Sequence, residues 1–399
     1  MATIGLSTSS RPGASARAIS ATSISGTTRL AWIDTIRVLL TILVVAHHAG
    51  QPYGPGGDWP ILETARSPAL GPFFAVNAAF FMGLFFLISG YFLPGAYDRK
   101  GPVAFLRDRF LRLGAPLLLF GLAAFGPITY LSYRDGGGQR PFWSFFVHDY
   151  LAGRQIELGH LWFLAHLLVY AVGFAAWRHI VGVRPPAIQP DSPIPSHRAI
   201  FLYTLALAAV TFVVRIWFPI DRWTRLLWIV PAEVAHLPQY LSLFILGIIA
   251  ARHDWLSRFP TRTGFIWLRI GLAAAGLRYG YTLLFPHHLP RLVAGGGADW
   301  RSLLWSGWEA VICVGLCLGL LTLARERMHQ PGPLTRTLST NAYAAYVMHV
   351  WVVVAVQFAL LGVPLPPLAK FALVCLVGIP LSFVVASLVR RLPPVRRVL

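Results

Sequence analysis

The chain has 399 residues, of which 56% are hydrophobic and 12% charged, with a mean hydropathy of +0.61. A soluble domain is roughly a quarter charged, so composition excludes a soluble class and points to a polytopic integral membrane protein. The net charge of +19 does not indicate a nucleic-acid partner, because the basic residues are nearly all Arg scattered through short connectors rather than gathered on one element.

Residues 1–28 are rich in Ser, Thr, Ala and Gly and carry Arg11 and Arg17 without an apolar core. They lack the apolar stretch of a secretory signal. A disordered tail is expected there, with a transit peptide as the alternative. The domain at 29–390 should be one all-α membrane bundle of about ten spans, followed by a basic tail at 391–399. The expected spans are roughly 33–50, 73–93, 113–132, 159–180, 199–218, 235–251, 264–285, 303–324, 341–362 and 368–389. The N-terminus and alternate connectors then hold 21 Arg and Lys residues against nine in the opposite set. This asymmetry predicts that both termini are cytoplasmic, in agreement with an even number of crossings.

The first span, with its lead-in IDTIRVLL, contains the most informative pattern. Arg37 and His48 are eleven residues apart, which places them within ~20° of each other on a helix and ~16 Å apart along its axis. Asp34 shares roughly the same stripe. Ionisable groups inside a membrane are costly and usually face a protein interior or a water-filled cavity. An imidazole such as His48 is suited to taking a proton from a hydroxyl that attacks an acyl group, and a packing histidine is the plainer alternative. His47 points ~100° away from His48, so the two are poorly placed to share a metal. It is expected to brace a neighbouring helix.

The first outer connector, Gln51–Pro72, is rich in Pro and Gly and carries Asp58, Trp59 and Glu63. The second span ends in Phe85-Phe86-Leu87-Ile88-Ser89-Gly90-Tyr91, where the glycine permits close helix approach and the hydroxyls of Ser89 and Tyr91 could line a cavity. Arg109 and Arg112 are three residues apart at the cytoplasmic entrance of the third span. Two guanidiniums there could hold phosphates bidentately, or simply anchor the span by charge. In the outer connector at 133–159, Gly136-Gly137-Gly138 precedes Phe142, Trp143, Phe145 and Phe146, an expected interfacial helix. His160 opens the fourth span from the outside, where it could meet an outer substrate or act as an interfacial anchor. The next outer connector contains Trp217, Trp223 and Trp228. Aromatic belts account for many such residues, although aromatics mixed with carboxylates also suit a sugar-binding surface.

Arg278, Glu309 and His349 lie inside the seventh, eighth and ninth spans, each costly unless paired. Cys313, Cys317 and Cys375 show no ligand spacing and read as packing residues. No zinc-protease, phosphate-loop, hydrolase-elbow or dinucleotide signature is present. No metal and no tightly bound cofactor is expected.

Taken in order, these motifs resemble the acyltransferase-3 family of integral membrane transferases, over about Leu30 to Leu388. Asp34-Thr35-Ile36-Arg37 followed by ten residues and His48 is similar to the family's first-span motif, and Arg109-Phe110-Leu111-Arg112 to its third-span Arg-x-x-Arg. Phe86-Leu87-Ile88-Ser89-Gly90-Tyr91, His160-Leu161-Trp162-Phe163-Leu164 and Ser339–His349 are supporting matches. The first outer loop and the His349 segment are similar to the branch that modifies periplasmic glucans. The resemblance implies acyl transfer from a cytoplasmic acyl-coenzyme A, as co-substrate, to a hydroxyl of an extracytoplasmic carbohydrate. His48 would be the base, supported by Arg37 and Asp34, with Arg109 and Arg112 on the donor. His47, Ser89, Tyr91, His160, Glu309 and His349 would line or support the cavity. Direct transfer and an acyl-histidine relay both stay open. A bacterial inner-membrane location is expected, with the bilayer as partner. The competing readings are a transporter or flippase for a polar or lipid-linked substrate, and a bis-histidine haem or quinone protein.

Overall fold

A computed structural model describes residues 31–399, apart from 57–58, 153–157, 183–191, 227–229, 286–294 and 331. The expected tail at 1–28, Asp58 and Trp228 therefore lie outside the described residues.

Apolar sequence in a membrane must satisfy its backbone within each segment, which favours helices. Ten long helices are found among the described residues. They are α1 (Ala31–Gly50), α2 (Gly71–Lys100), α3 (Pro102–Arg134), α4 (Trp162–Val181), α5 (His197–Trp217), α6 (Leu237–Arg252), α7 (Thr261–Leu284), α8 (Trp300–Arg327), α9 (Pro333–Ala359) and α10 (Pro367–Val389). Several begin where local chemistry favours a start. Pro stands in the first turn of α2, α3, α6, α9 and α10, where its missing N–H costs nothing. Ser196 accepts from the Ala199 N–H at 3.3 Å, and Asp299 from the Ser302 N–H at 2.9 Å, N-caps worth about 1 kcal/mol each.

Among the described residues, nine helical segments are long and apolar enough to cross a membrane, and α7 is not one of them. The reason is compositional: Arg262, Arg269 and Arg278 dilute its apolar sequence. It nevertheless packs along α8, where Gly271 and Gly315 bring the two backbones together. A tighter seam joins α2 to α6. A Cβ at Gly90 would overlap the Phe244 carbonyl oxygen, and one at Gly247 the Leu87 carbonyl oxygen. Gly90 thus makes the close approach expected of it.

Several segments among the described residues depart from uniform α-helix. The third helix is interrupted by π-helical turns at Phe110–Gly114 and Leu119–Ala124. Between α5 and α6, Trp223–Leu226 and Val230–Glu233 form an antiparallel hairpin, β1 and β2, pairing Trp223 with Glu233 and Leu226 with Val230. A short helix does form at Phe142–Phe145, within the expected aromatic connector.

Candidate active site

Three histidines from three helical segments meet near the end of α1 that leads into the first loop. The His349 ring lies 4.9 Å from that of His48 and 4.5 Å from that of His160, centroid to centroid, and His48 and His160 are 6.2 Å apart. His160 and His349 are buried, whereas His48 keeps some accessible surface.

Hydrogen-bond partners fix the tautomers, because a carbonyl oxygen only accepts. His349 Nδ1 is 2.6 Å from the Tyr346 carbonyl oxygen and so carries a hydrogen. In a neutral ring its Nε2 then holds a lone pair, which faces His48 Nδ1 at 3.0 Å. His48 Nδ1 also lies 3.0 Å from the Val44 carbonyl oxygen. Both neighbours accept, so the His48 hydrogen sits on Nδ1 and the Nε2 lone pair is left for chemistry. His160 donates from Nε2 to the Val347 carbonyl oxygen at 3.1 Å, leaving Nδ1 buried without a partner among the described residues. The Tyr346 hydroxyl donates to the His160 carbonyl oxygen and ties α9 to the start of α4.

Two residues hold the end of α1: Trp59, noted in the first outer connector, and Gln357, which sequence reasoning passed over. Gln357 Nε2 donates to the His48 carbonyl oxygen at 3.0 Å, and its Oε1 accepts from Trp59 Nε1 at 2.8 Å. The Trp59 ring stacks on the His48 imidazole, 5.2 Å away and inclined by 24°. A polar Gln357 inside the apolar run of α9 was the available signal. Beside it, Lys370 Nζ pairs with Glu63 Oε1 at 2.6 Å, fastening the first loop to α10. His47 packs against Phe73, Phe74 and Phe81 of α2, which is the bracing contact expected.

Toward the opposite end of α1, Arg37 pairs with Asp34 at 3.5 Å and lies 4.8 Å over the Phe92 ring. Arg37, Ser89 and Arg109 line one cavity of about 110 Å³, closed by Phe92, Leu113, Leu167 and Phe244 among others. Arg109 is thus brought to Arg37, and Asp108 lies 3.6 Å from Arg109 and 3.5 Å from Arg112, but Arg112 does not line the cavity. The π turn at Phe110–Gly114 winds more widely than an α turn and changes the angle between the two arginines. The Arg112 side chain is 62% exposed and 3.5 Å from Asp108, and its carbonyl accepts from the Tyr343 hydroxyl. Tyr91 lies outside this cavity lining and sets its ring against Phe92.

Glu309 belongs to a different cluster. It pairs with the fully buried Arg215, and the His236 ring bridges it at 3.8 Å to Glu233 at 2.9 Å. Burial pushes the Glu233 carboxyl up, but the His236 charge and the Asp221 N–H at 2.7 Å outweigh it and hold the group below its usual value. This network fastens the hairpin to α5 and α8. A larger, mostly apolar cavity of about 250 Å³ lies between α5, α6 and α8 and shares no lining residue with the Arg37 cavity. Among the described residues no group of three His, Cys, Asp or Glu side chains is placed to hold a metal ion.

A multi-pass helical bundle with an imidazole cluster and a separate arginine-lined cavity defines a class, that of integral membrane proteins with a buried polar site. The family follows from comparison of the sequence: the acyltransferase domain of the acyltransferase-3 family matches residues 30–387, and the chain belongs to that family. It is a multi-pass integral membrane protein. Among curated proteins it is similar to the glucans biosynthesis protein C of Salmonella schwarzengrund and of Salmonella paratyphi B. It is 27% identical to each over 242 residues, covering 58% of this chain and 60% of theirs. The match thus spans less than two thirds of the relatives' length. No solved structure matches it.

Proposed function

We propose that the chain transfers an acyl group from a cytoplasmic acyl-coenzyme A to a hydroxyl of an extracytoplasmic carbohydrate, with His48 as general base. The observation that carries the reading is the tautomer of His48: the His349 and Val44 acceptors leave Nε2 unprotonated. The acceptor hydroxyl gives its proton to that lone pair as its oxygen attacks the thioester carbonyl. The C–S bond breaks, an ester forms, and the proton passes from His48 to the departing sulfur. While the ring is charged, the His349 lone pair faces its Nδ1–H and stabilises it.

The donor side rests on the Arg37–Arg109 cavity, whose two guanidiniums suit phosphate oxygens. Eleven helical residues, ~16 Å of axis, separate Arg37 from His48. A donor must span that length between its anionic group and its thioester, as an extended pantetheine arm does. The charge asymmetry of the connectors supports placing this cavity at the cytoplasmic side and the first loop outside. The name of the Salmonella relatives, glucans biosynthesis protein C, supports a glucan as acceptor.

His48→Ala tests the reading. In reconstituted protein, acyl transfer should fall by roughly 10²–10⁴-fold, while thermal unfolding in detergent stays close to wild type. Mass spectrometry of envelope glycans should show the acyl ester missing. Undiminished ester formation by a folded His48→Ala protein would overturn the assignment.

A further inference from the structure

The seventh helix carries a buried cation that the acyl-transfer site does not use. Arg278 keeps only 8% of its accessible surface, and its guanidinium has no carboxylate within ion-pair distance among the described residues. Its Nη1 donates to the Thr282 hydroxyl, but Nε is buried without an acceptor among the described residues. The guanidinium carbon stands 5.7 Å from the centre of the Trp305 ring, whose own Nε1–H is likewise buried and unaccepted among the described residues. Facing it is the start of α2, since Nη2 lies 3.7 Å from where a Gly71 side chain would begin. The guanidinium therefore lies beside the first turn of this 30-residue helix. The Arg278 Nε–H and the Trp305 Nε1–H thus meet at one place with no carboxylate to receive them among the described residues.

A cation in a membrane protein without a counter-charge is costly, and an anion that binds there removes the cost. The surroundings say what kind. Arg278 is six residues from the end of α7, ~9 Å of helix. The neighbouring Leu277, Leu283 and Leu284 are 70–74% uncovered by protein. An aliphatic face of this kind in a bilayer receives hydrocarbon chains. A guanidinium near its end is suited to a phosphate held bidentately.

We propose that Arg278 is the centre of an oxyanion site that takes the phosphate of a membrane phospholipid, its chains lying along α7. Trp305 and the start of α2 complete the site. It is independent of the acyl-transfer reading, because its ligand makes no contact with His48 or the Arg37 cavity.

Native mass spectrometry of the full chain in detergent, titrated with phosphatidylglycerol, diacylglycerol or inorganic phosphate, tests it. The wild type should retain one phosphatidylglycerol, and Arg278→Gln should weaken that binding roughly tenfold or more. Diacylglycerol, which has the chains without the phosphate, should not bind at this site. Equal retention by Arg278→Gln, or equal binding of diacylglycerol, overturns the proposal. Inorganic phosphate that competes as well as the lipid overturns the lipid assignment. Where Arg278→Gln fails to fold, Trp305→Phe keeps the ring and removes the N–H. A several-fold weaker lipid affinity is then expected, and an unchanged one overturns the proposal.

Discussion

A neutral imidazole has one hydrogen to place, and at His48 two acceptors decide where it goes. The Val44 carbonyl alone, 3.0 Å away, is the ordinary preceding-turn contact of a helical histidine and would allow the ring to turn. His349, at 3.0 Å on the same nitrogen, closes that freedom from another helix. The consequence is kinetic. His349→Leu should lower kcat by roughly 5- to 150-fold, the loss of one buried hydrogen bond of about 1–3 kcal/mol, with donor KM unchanged. His349→Gln, whose amide oxygen can accept from His48 Nδ1–H, should recover part of the rate. Equal kcat for wild type and His349→Leu would show that His48 needs no partner. The first-span motif was legible because its spacing is local and helical geometry converts spacing into position. The alliance with His349 was not, since 301 residues separate the two rings and no local pattern encodes a contact between helices.

Helices in lipid lack a hydrophobic drive to pair, so their seams depend on close fit. The α2–α6 seam places backbone against backbone at Gly90 and Gly247, and α2 carries Ser89 and Phe92 of the arginine-lined cavity. Gly247→Val should therefore lower the thermal midpoint in detergent by an amount consistent with about 1–3 kcal/mol of overpacking. It should also impair catalysis, because any separation of α2 from α6 displaces the cavity wall. A midpoint equal to wild type would mean that the seam yields at no cost. The hairpin offers a second test, through pH. Glu233 is held below its usual value in the folded chain, so its stabilising contribution is complete above the unfolded value and is lost as pH falls through the folded one. The stability advantage of wild type over Glu233→Gln should be full near neutrality and shrink below about pH 4. A difference constant across that range would remove Glu233 from the network. Neither the hairpin nor the π turns were legible. Strands of four residues with Pro231 among them give no alternating pattern. A π turn differs from α-helix only in how far the chain winds, which composition does not record.

At the scale of the whole bundle, the arginine cavity and the histidine cluster occupy opposite ends of α1, and this separation divides the roles of the two third-span arginines. Identical residue types three apart read as a pair in the sequence, because an α-helix would put them on one face. Both guanidiniums meet Asp108, but only Arg109 lines the cavity with Arg37, and its side chain is 26% exposed where that of Arg112 is 62% exposed. If donor phosphates are bound where the guanidiniums converge, the two substitutions must differ in effect. Arg109→Ala removes a charge from a confined site, where charge-assisted hydrogen bonds are worth roughly 1.5–3 kcal/mol, so donor KM should rise about 10- to 150-fold. Arg112→Ala removes a solvent-screened charge, and surface ion pairs contribute about 0–1 kcal/mol, so donor KM should rise no more than about fivefold. Acceptor KM should stay near wild type in both, because the acceptor meets the chain at the other end of α1. Initial-rate measurements with each substrate varied in turn separate these outcomes. Equal donor effects at the two positions would place the phosphates outside the cavity. A raised acceptor KM in Arg109→Ala would show that both substrates enter from the same end, against the length argument that assigns the donor to the arginines and the hydroxyl to His48.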